Sequence, residues 1–91
     1  MSTKEKNKPV SDFQETSISL RKLVLFNDDF NTFDYVIESL MQVCGHDEYQ
    51  AETCTMIAHY KGKCVVKKGN LEELQRCREG LSMKKLIVEI Q

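Results

Sequence analysis

The sequence predicts an α/β (α+β) domain, a two-layer sandwich in the order β-α-α-β-α-β with three helices on one face of a three-stranded sheet. Three observations lead there. Short apolar runs at 20–26, 63–68 and 85–90 read as strands. The stretches between them end at Gly45, Gly62 and Gly80, where glycine suits the residue just past a helix. A sheet with helices between its strands buries its apolar surface by packing those helices against it.

Residues 1–19 are polar, with isolated Phe13 and Ile18 and no period. They are expected to form a flexible N-terminal extension ahead of a core domain at 20–91. The continuous run Leu20–Phe26 implies a central strand. Asn31 or Thr32 caps the next helix, and Asp34 suits the positive end of its dipole. Phe33, Val36, Ile37, Leu40, Met41 and Cys44 form one helical stripe. Asp47 with Gln50 is a capping-box pattern opening a second helix, which runs to about Tyr60. Ala51, Cys54 and Ala58, with Met56 and Ile57, give it a less clean stripe. Cys64-Val65-Val66 marks a second strand. Asn70 with Glu73 opens a third helix with Leu71, Leu74 and Cys77 inward, expected to end at Gly80. Lys85–Ile90 is the third strand.

Ninety-one residues make one small domain, which favours a shallow pocket or docking surface over a deep catalytic cleft. Thirteen basic and fourteen acidic residues give a net charge of −1, which argues against a nucleic-acid footprint. No apolar run approaches the ~20 residues that span a bilayer. The first residues carry charge with no apolar core after them, unlike a secretory signal. Cys44, Cys54, Cys64 and Cys77 contain no C-x-x-C pair, so no metal site is expected. They read as buried thiols in a reducing cytosol rather than as disulfides.

Catalytic patterns are weak. Cys54 and His59 are five apart, which turns them away from one another on a helix. Asp28 and Asp29 are adjacent and leave a strand in different directions. Recognition fits better. Asn27, Asp28 and a neutral His59 all offer acceptors, which suits a primary ammonium with its three donors. Phe33, Val36 and Ala58 flank these groups with apolar surface. An ammonium beside an apolar socket describes a free peptide N-terminus with a hydrophobic first side chain. Two other readings stand beside this one: a small protein–protein interaction domain without a ligand pocket, and a Cys54-dependent enzyme.

The segment Leu23-Val24-Leu25-Phe26-Asn27-Asp28-Asp29-Phe30-Asn31-Thr32-Phe33-Asp34-Tyr35-Val36-Ile37, followed by Ala58-His59-Tyr60-Lys61-Gly62-Lys63, resembles the ClpS adaptor family. The resemblance covers about residues 20–91 and implies a non-enzymatic adaptor of the bacterial N-end rule. Such adaptors hold proteins that start with Leu, Phe, Tyr or Trp and pass them to a Clp AAA+ unfoldase, ClpA or ClpC, coupled to ClpP. By position, Asn27, Asp28 and His59 would hold the α-amino group. Asp29, Asn31, Phe33, Val36, Thr55, Ala58 and Leu86 would form the pocket walls. Glu72 and Arg76 would contact the unfoldase, and residues 1–19 would serve delivery. The implied protein is a cytoplasmic monomer that needs no cofactor. Asn31 stands where the family usually has Thr, and Phe33 where it usually has Met. Thr55 stands where it commonly has a Met that excludes β-branched first residues.

Overall fold

The computed structural model describes residues 20–91, so the expected extension 1–19 lies outside the described residues. The element order is as expected: β1 (Arg21–Phe26), α1 (Phe33–Cys44), α2 (Glu48–Lys61), β2 (Lys63–Gly69), α3 (Leu71–Met83) and β3 (Val88–Ile90). The sheet order is β2-β1-β3, and β1 runs antiparallel to both neighbours. Leu23 and Leu25 of this central strand are buried in the core, and Val24, which alternates with them, is buried as well.

The helices cover one face. Leu23, Leu25 and Val66 of the sheet join Val36 and Leu40 of α1, Ala51, Cys54 and Ala58 of α2, and Leu74, Cys77 and Leu81 of α3 in one core. Leu86 completes it from the α3–β3 connection. The expected stripe of α1 is only partly inward: Val36 and Leu40 are buried, but Phe33 and Met41 are each 39% exposed. Met56 and Ile57 of α2 also face outward.

The helix starts obey the cap chemistry. The Thr32 hydroxyl accepts the Tyr35 N–H (3.2 Å), and the Asp47 carboxylate accepts the Gln50 N–H (2.7 Å). At α3 the box is complete, with Asn70 and Glu73 each accepting the other's backbone N–H. The helix ends required one correction. Gly45 and Gly62 cap α1 and α2 with φ of 72° and 94°. Gly80, however, sits inside α3, which continues to Met83. Its role is close packing: a Cβ there would lie 2.8 Å from Val43 Cγ1 on α1. The third strand is also shorter than expected. Lys85 adopts φ 71°, and Leu86 turns into the core before pairing begins at Val88.

One irregularity shapes β2. The register with β1 steps from Leu23↔Lys67 to Val24↔Val65, leaving Val66 as the extra residue of a bulge. A bulged residue loses its ladder partner. His46 answers this: its Nε2 lies 2.7 Å from the Val66 carbonyl, and the ring is buried. His46, which the sequence offers only as the opening of α2, therefore ties that loop to the sheet.

Candidate functional site

The site forms where β1 ends. Past Phe26 the chain leaves the ladder, and the Asn27 N–H donates to the Gly62 carbonyl at 2.9 Å. Gly62 itself closes α2, its N–H bonded to the Ala58 carbonyl at 2.9 Å. This pair of bonds fastens the Asn27 loop to the end of α2, which carries His59. Residues 32 apart in sequence are thereby set on one rim.

Asp28 organises the loop that follows. Its Oδ1 accepts the N–H groups of Phe30 (2.8 Å) and Asn31 (2.7 Å), and its Oδ2 accepts from Asn31 Nδ2 at 3.2 Å. Burial pushes the Asp28 carboxyl pKa up, but the Asn31 N–H, the Asn31 amide and the Phe30 N–H outweigh it. The net effect is a pKa below the ordinary value, so a fixed negative charge stands at the loop. Oδ2 has accepted one bond and keeps acceptor capacity. Asn31 Nδ2 also donates to the Lys85 carbonyl (3.0 Å), and the Tyr35 hydroxyl donates to the Lys84 carbonyl (2.9 Å). The start of α1 is thus pinned to the α3–β3 connection from two positions.

A small, shallow cleft lies between these parts. Its lining brings together Asn27, Asp28, Asn31, Phe33, Val36, Thr55, Ala58 and His59, with Leu25 and Phe26 from the strand itself. Asn27, Asp28, Asn31 and His59 are polar members of that lining, and Val36 and Ala58 are buried carbon surface. Phe33 and His59 meet edge to face, centroids 5.0 Å apart, so the ring of His59 is braced by α1. Tyr60 also meets it edge to face, with centroids 4.9 Å apart. Thr55 is buried, and its hydroxyl donates to the Ala51 carbonyl at 2.8 Å. Its polarity is satisfied inside α2, so to the cleft it adds mainly carbon rather than the polar wall its residue type suggests.

Two expected wall residues stand apart. Asp29 is exposed and does not line the cleft. Leu86 is 4% exposed and belongs to the core. Leu25 and Phe26 also line the cleft, although in the sequence their strand run reads as core. Their position immediately before Asn27 was the available signal. Glu72 and Arg76 are exposed and one turn apart on α3, outside the cleft. Cys54 turns away from His59: its thiol points to the Val65 carbonyl at 3.9 Å, shared with Cys64 at 3.5 Å. All four cysteines are free. Burial, and then the neighbouring Cys64 thiol, push the Cys54 pKa to about 12, which removes the thiolate that nucleophilic catalysis requires. Among the described residues no cluster of three metal-ligating side chains occurs, and no helix is long and apolar enough to cross a membrane.

The family model for the ATP-dependent Clp protease adaptor protein ClpS matches residues 18–86. The chain belongs to the ClpS family. The ClpS adapter of Shewanella pealeana is 40% identical over 47 residues, 52% of this chain and 46% of that protein. The ClpS adapter of Escherichia coli O1:K1 is 32% identical over 47 residues, 52% of this chain and 44% of that protein. The matched stretch therefore spans about half the length of these curated relatives. Agrobacterium tumefaciens ClpS2 bound to L-phenylalaninamide has a similar structure, with a TM-score of 0.73 over 79% of this chain and 94% of that one. At 24% identity this likeness shows a shared fold, with the helices and antiparallel sheet in the ClpS arrangement.

Proposed function

We propose that the chain is an adaptor that binds proteins by a free N-terminal α-amino group and a bulky hydrophobic first side chain. It presents them to a Clp AAA+ unfoldase, ClpA or ClpC, working with ClpP. The observation that carries this reading is the cleft, in which three acceptor-bearing side chains share a rim with an apolar socket. Asn27 contributes an amide oxygen, Asp28 a held carboxylate and His59 an imidazole nitrogen when neutral. An α-ammonium offers three donors and one positive charge, which matches that set. Phe33, Val36, Thr55 and Ala58 would receive the first side chain, and burying it contributes ~1.5–3 kcal/mol. L-phenylalaninamide, the ligand named for the Agrobacterium tumefaciens relative, carries a free amine and an aromatic side chain, as an N-terminal Phe does.

Within this reading Asn31 both lines the cleft and supports the site, by holding Asp28. Glu72 and Arg76 on α3 leave the cleft free while offering a charged surface to the unfoldase. The protein acts as a cytoplasmic monomer without cofactor or metal. Specificity divides in two. The socket measures the size of the side chain, and the rim rejects blocked or internal residues, whose missing donors leave its acceptors unpaired.

Fluorescence anisotropy with Leu- and Phe-starting peptides tests this. Acetylation of the peptide N-terminus, or His59→Ala in the protein, should abolish binding. Equal affinity for free and acetylated peptides would leave an interaction domain without a ligand pocket as the reading.

A further inference from the structure

The register defines what stands on the sheet face that the helices leave uncovered. Residues directly opposite one another in a ladder share a face. Val24 therefore stands with Val65 and Glu89, Phe26 with Lys63, and Lys22 with Lys68. The Phe26 N–H bond to the Ile87 carbonyl (2.9 Å) adds Ile87 to the same row. These positions alternate with Leu23 and Leu25, whose side chains enter the helix-covered core. The other face thus carries a band of apolar side chains from Ile87 to Val65, flanked by three ammonium groups against one carboxylate. Ile87 is 53% exposed and Val65 38%, while Val24 between them is 2% exposed, so the open apolar surface lies at the two flanks of the band.

We propose that this face is the dock for the chain's own residues 10–19. The described chain starts at Leu20, two residues before Lys22 at a corner of the same face. Residues 10–19 read Val-Ser-Asp-Phe-Gln-Glu-Thr-Ser-Ile-Ser: three apolar side chains, two carboxylates and no base. Their charge of −2 answers the face's three lysines less one glutamate, a charge of +2. Residues 1–9 carry three lysines and one glutamate, so complementarity selects 10–19 and not the residues before them. Reach is sufficient. Phe13 lies seven residues before Leu20, about 23 Å of extended chain. The four steps from Lys22 to Phe26 cover only about 13 Å of strand. Phe13 can therefore stand over the apolar band while Asp12 and Glu15 lie among Lys22, Lys63 and Lys68.

Nuclear Overhauser spectroscopy on the intact, isotope-labelled chain tests the dock. The expected result is contact between the Phe13 ring protons and the methyl groups of Val65 and Ile87, unchanged on dilution. Phe13→Ser should abolish those contacts and shift both methyl signals. The charge reversal Lys63→Glu with Lys68→Glu should weaken them, and adding Asp12→Lys with Glu15→Lys should restore them. All these positions are in 10–19 or exposed, and preserved dispersion of the core methyl signals checks that each variant is folded. Absence of the contacts, with Val65 and Ile87 signals indifferent to Phe13→Ser, overturns the proposal. Contacts that fade on dilution overturn it too, because they assign the face to a second copy.

Discussion

Asn31→Ala separates a strut from a wall. The wild-type amide makes two bonds, 3.2 Å to the Asp28 carboxylate and 3.0 Å to the Lys85 carbonyl. A neutral intramolecular bond contributes about 0.5–1.5 kcal/mol, and one to a charged group somewhat more. Both lie in a partly exposed loop and the charged one is long, so the pair together should contribute about 1–2 kcal/mol. In a domain of this size each kcal/mol moves the midpoint by about 4–8 °C, so thermal unfolding should fall by about 4–16 °C. The backbone N–H groups of Phe30 and Asn31 still reach Asp28 in the variant. Its carboxyl pKa, followed by NMR, should therefore rise only part of the way back to the ordinary value. Peptide affinity should drop about tenfold if the freed carboxylate loses ~1.4 kcal/mol of alignment with the ammonium. The decisive outcome is joint. An unchanged Asp28 titration with unchanged affinity would refute the idea that Asn31 holds Asp28 in place. A loss confined to one class of first side chain would make Asn31 a pocket wall first and a support for Asp28 second.

Three further outcomes are expected. Gly80→Ala gains about 1 kcal/mol of helix propensity but sets a Cβ 2.8 Å from Val43 Cγ1, and overpacking of about 1–3 kcal/mol should win, so urea denaturation should show a net loss. Below the ordinary carboxylate value of 3.8, peptide affinity should weaken as Asp28 loses its charge. Its pKa is lowered, so its stabilising charge is present above the ordinary 3.8 and is lost only as pH falls through its folded value. An affinity that Asp28→Asn leaves unchanged would contradict this assignment. Cys44 and Cys54 are both pushed up to about 12, chiefly by burial and then by the Cys77 and Cys64 thiols beside them. Their raised folded values favour the native state below the ordinary 9.0, and that contribution should vanish as pH climbs through about 12. Little thiolate is present at pH 7, so alkylation of either should be slow in the folded protein and fast once it is denatured. Rapid labelling of native Cys54 would reopen the enzymatic reading.

Local chemistry made most of the elements legible. Thr32, Asp47 and Asn70 are short polar side chains that can reach a backbone N–H three residues on, wherever the rest of the chain lies. Gly45 and Gly62 accept a left-handed backbone at little cost, and they end their helices for that reason. Gly80 misled because a helix-ending glycine and a close-packing glycine are the same letter; only Val43, on another helix, distinguishes them. The same limit applies to His46, whose partner carbonyl becomes available only when a bulge removes Val66 from its ladder.

The candidate site divides along the same line. From sequence alone came the acceptor residues at 27, 28 and 59, the apolar stripe beside them and the family pattern that links them, because residue type and short spacing are local properties. The tertiary structure decided that Asn27 and His59 share a rim, since that depends on one bond from the Asn27 N–H to the Gly62 carbonyl. It decided too that Leu86 belongs to the core and that Thr55 turns its hydroxyl into its own helix. These outcomes rest on contacts between distant segments or on competition for a hydrogen-bond partner. Neither is fixed until the chain has packed and each buried polar group has found what remains available to it.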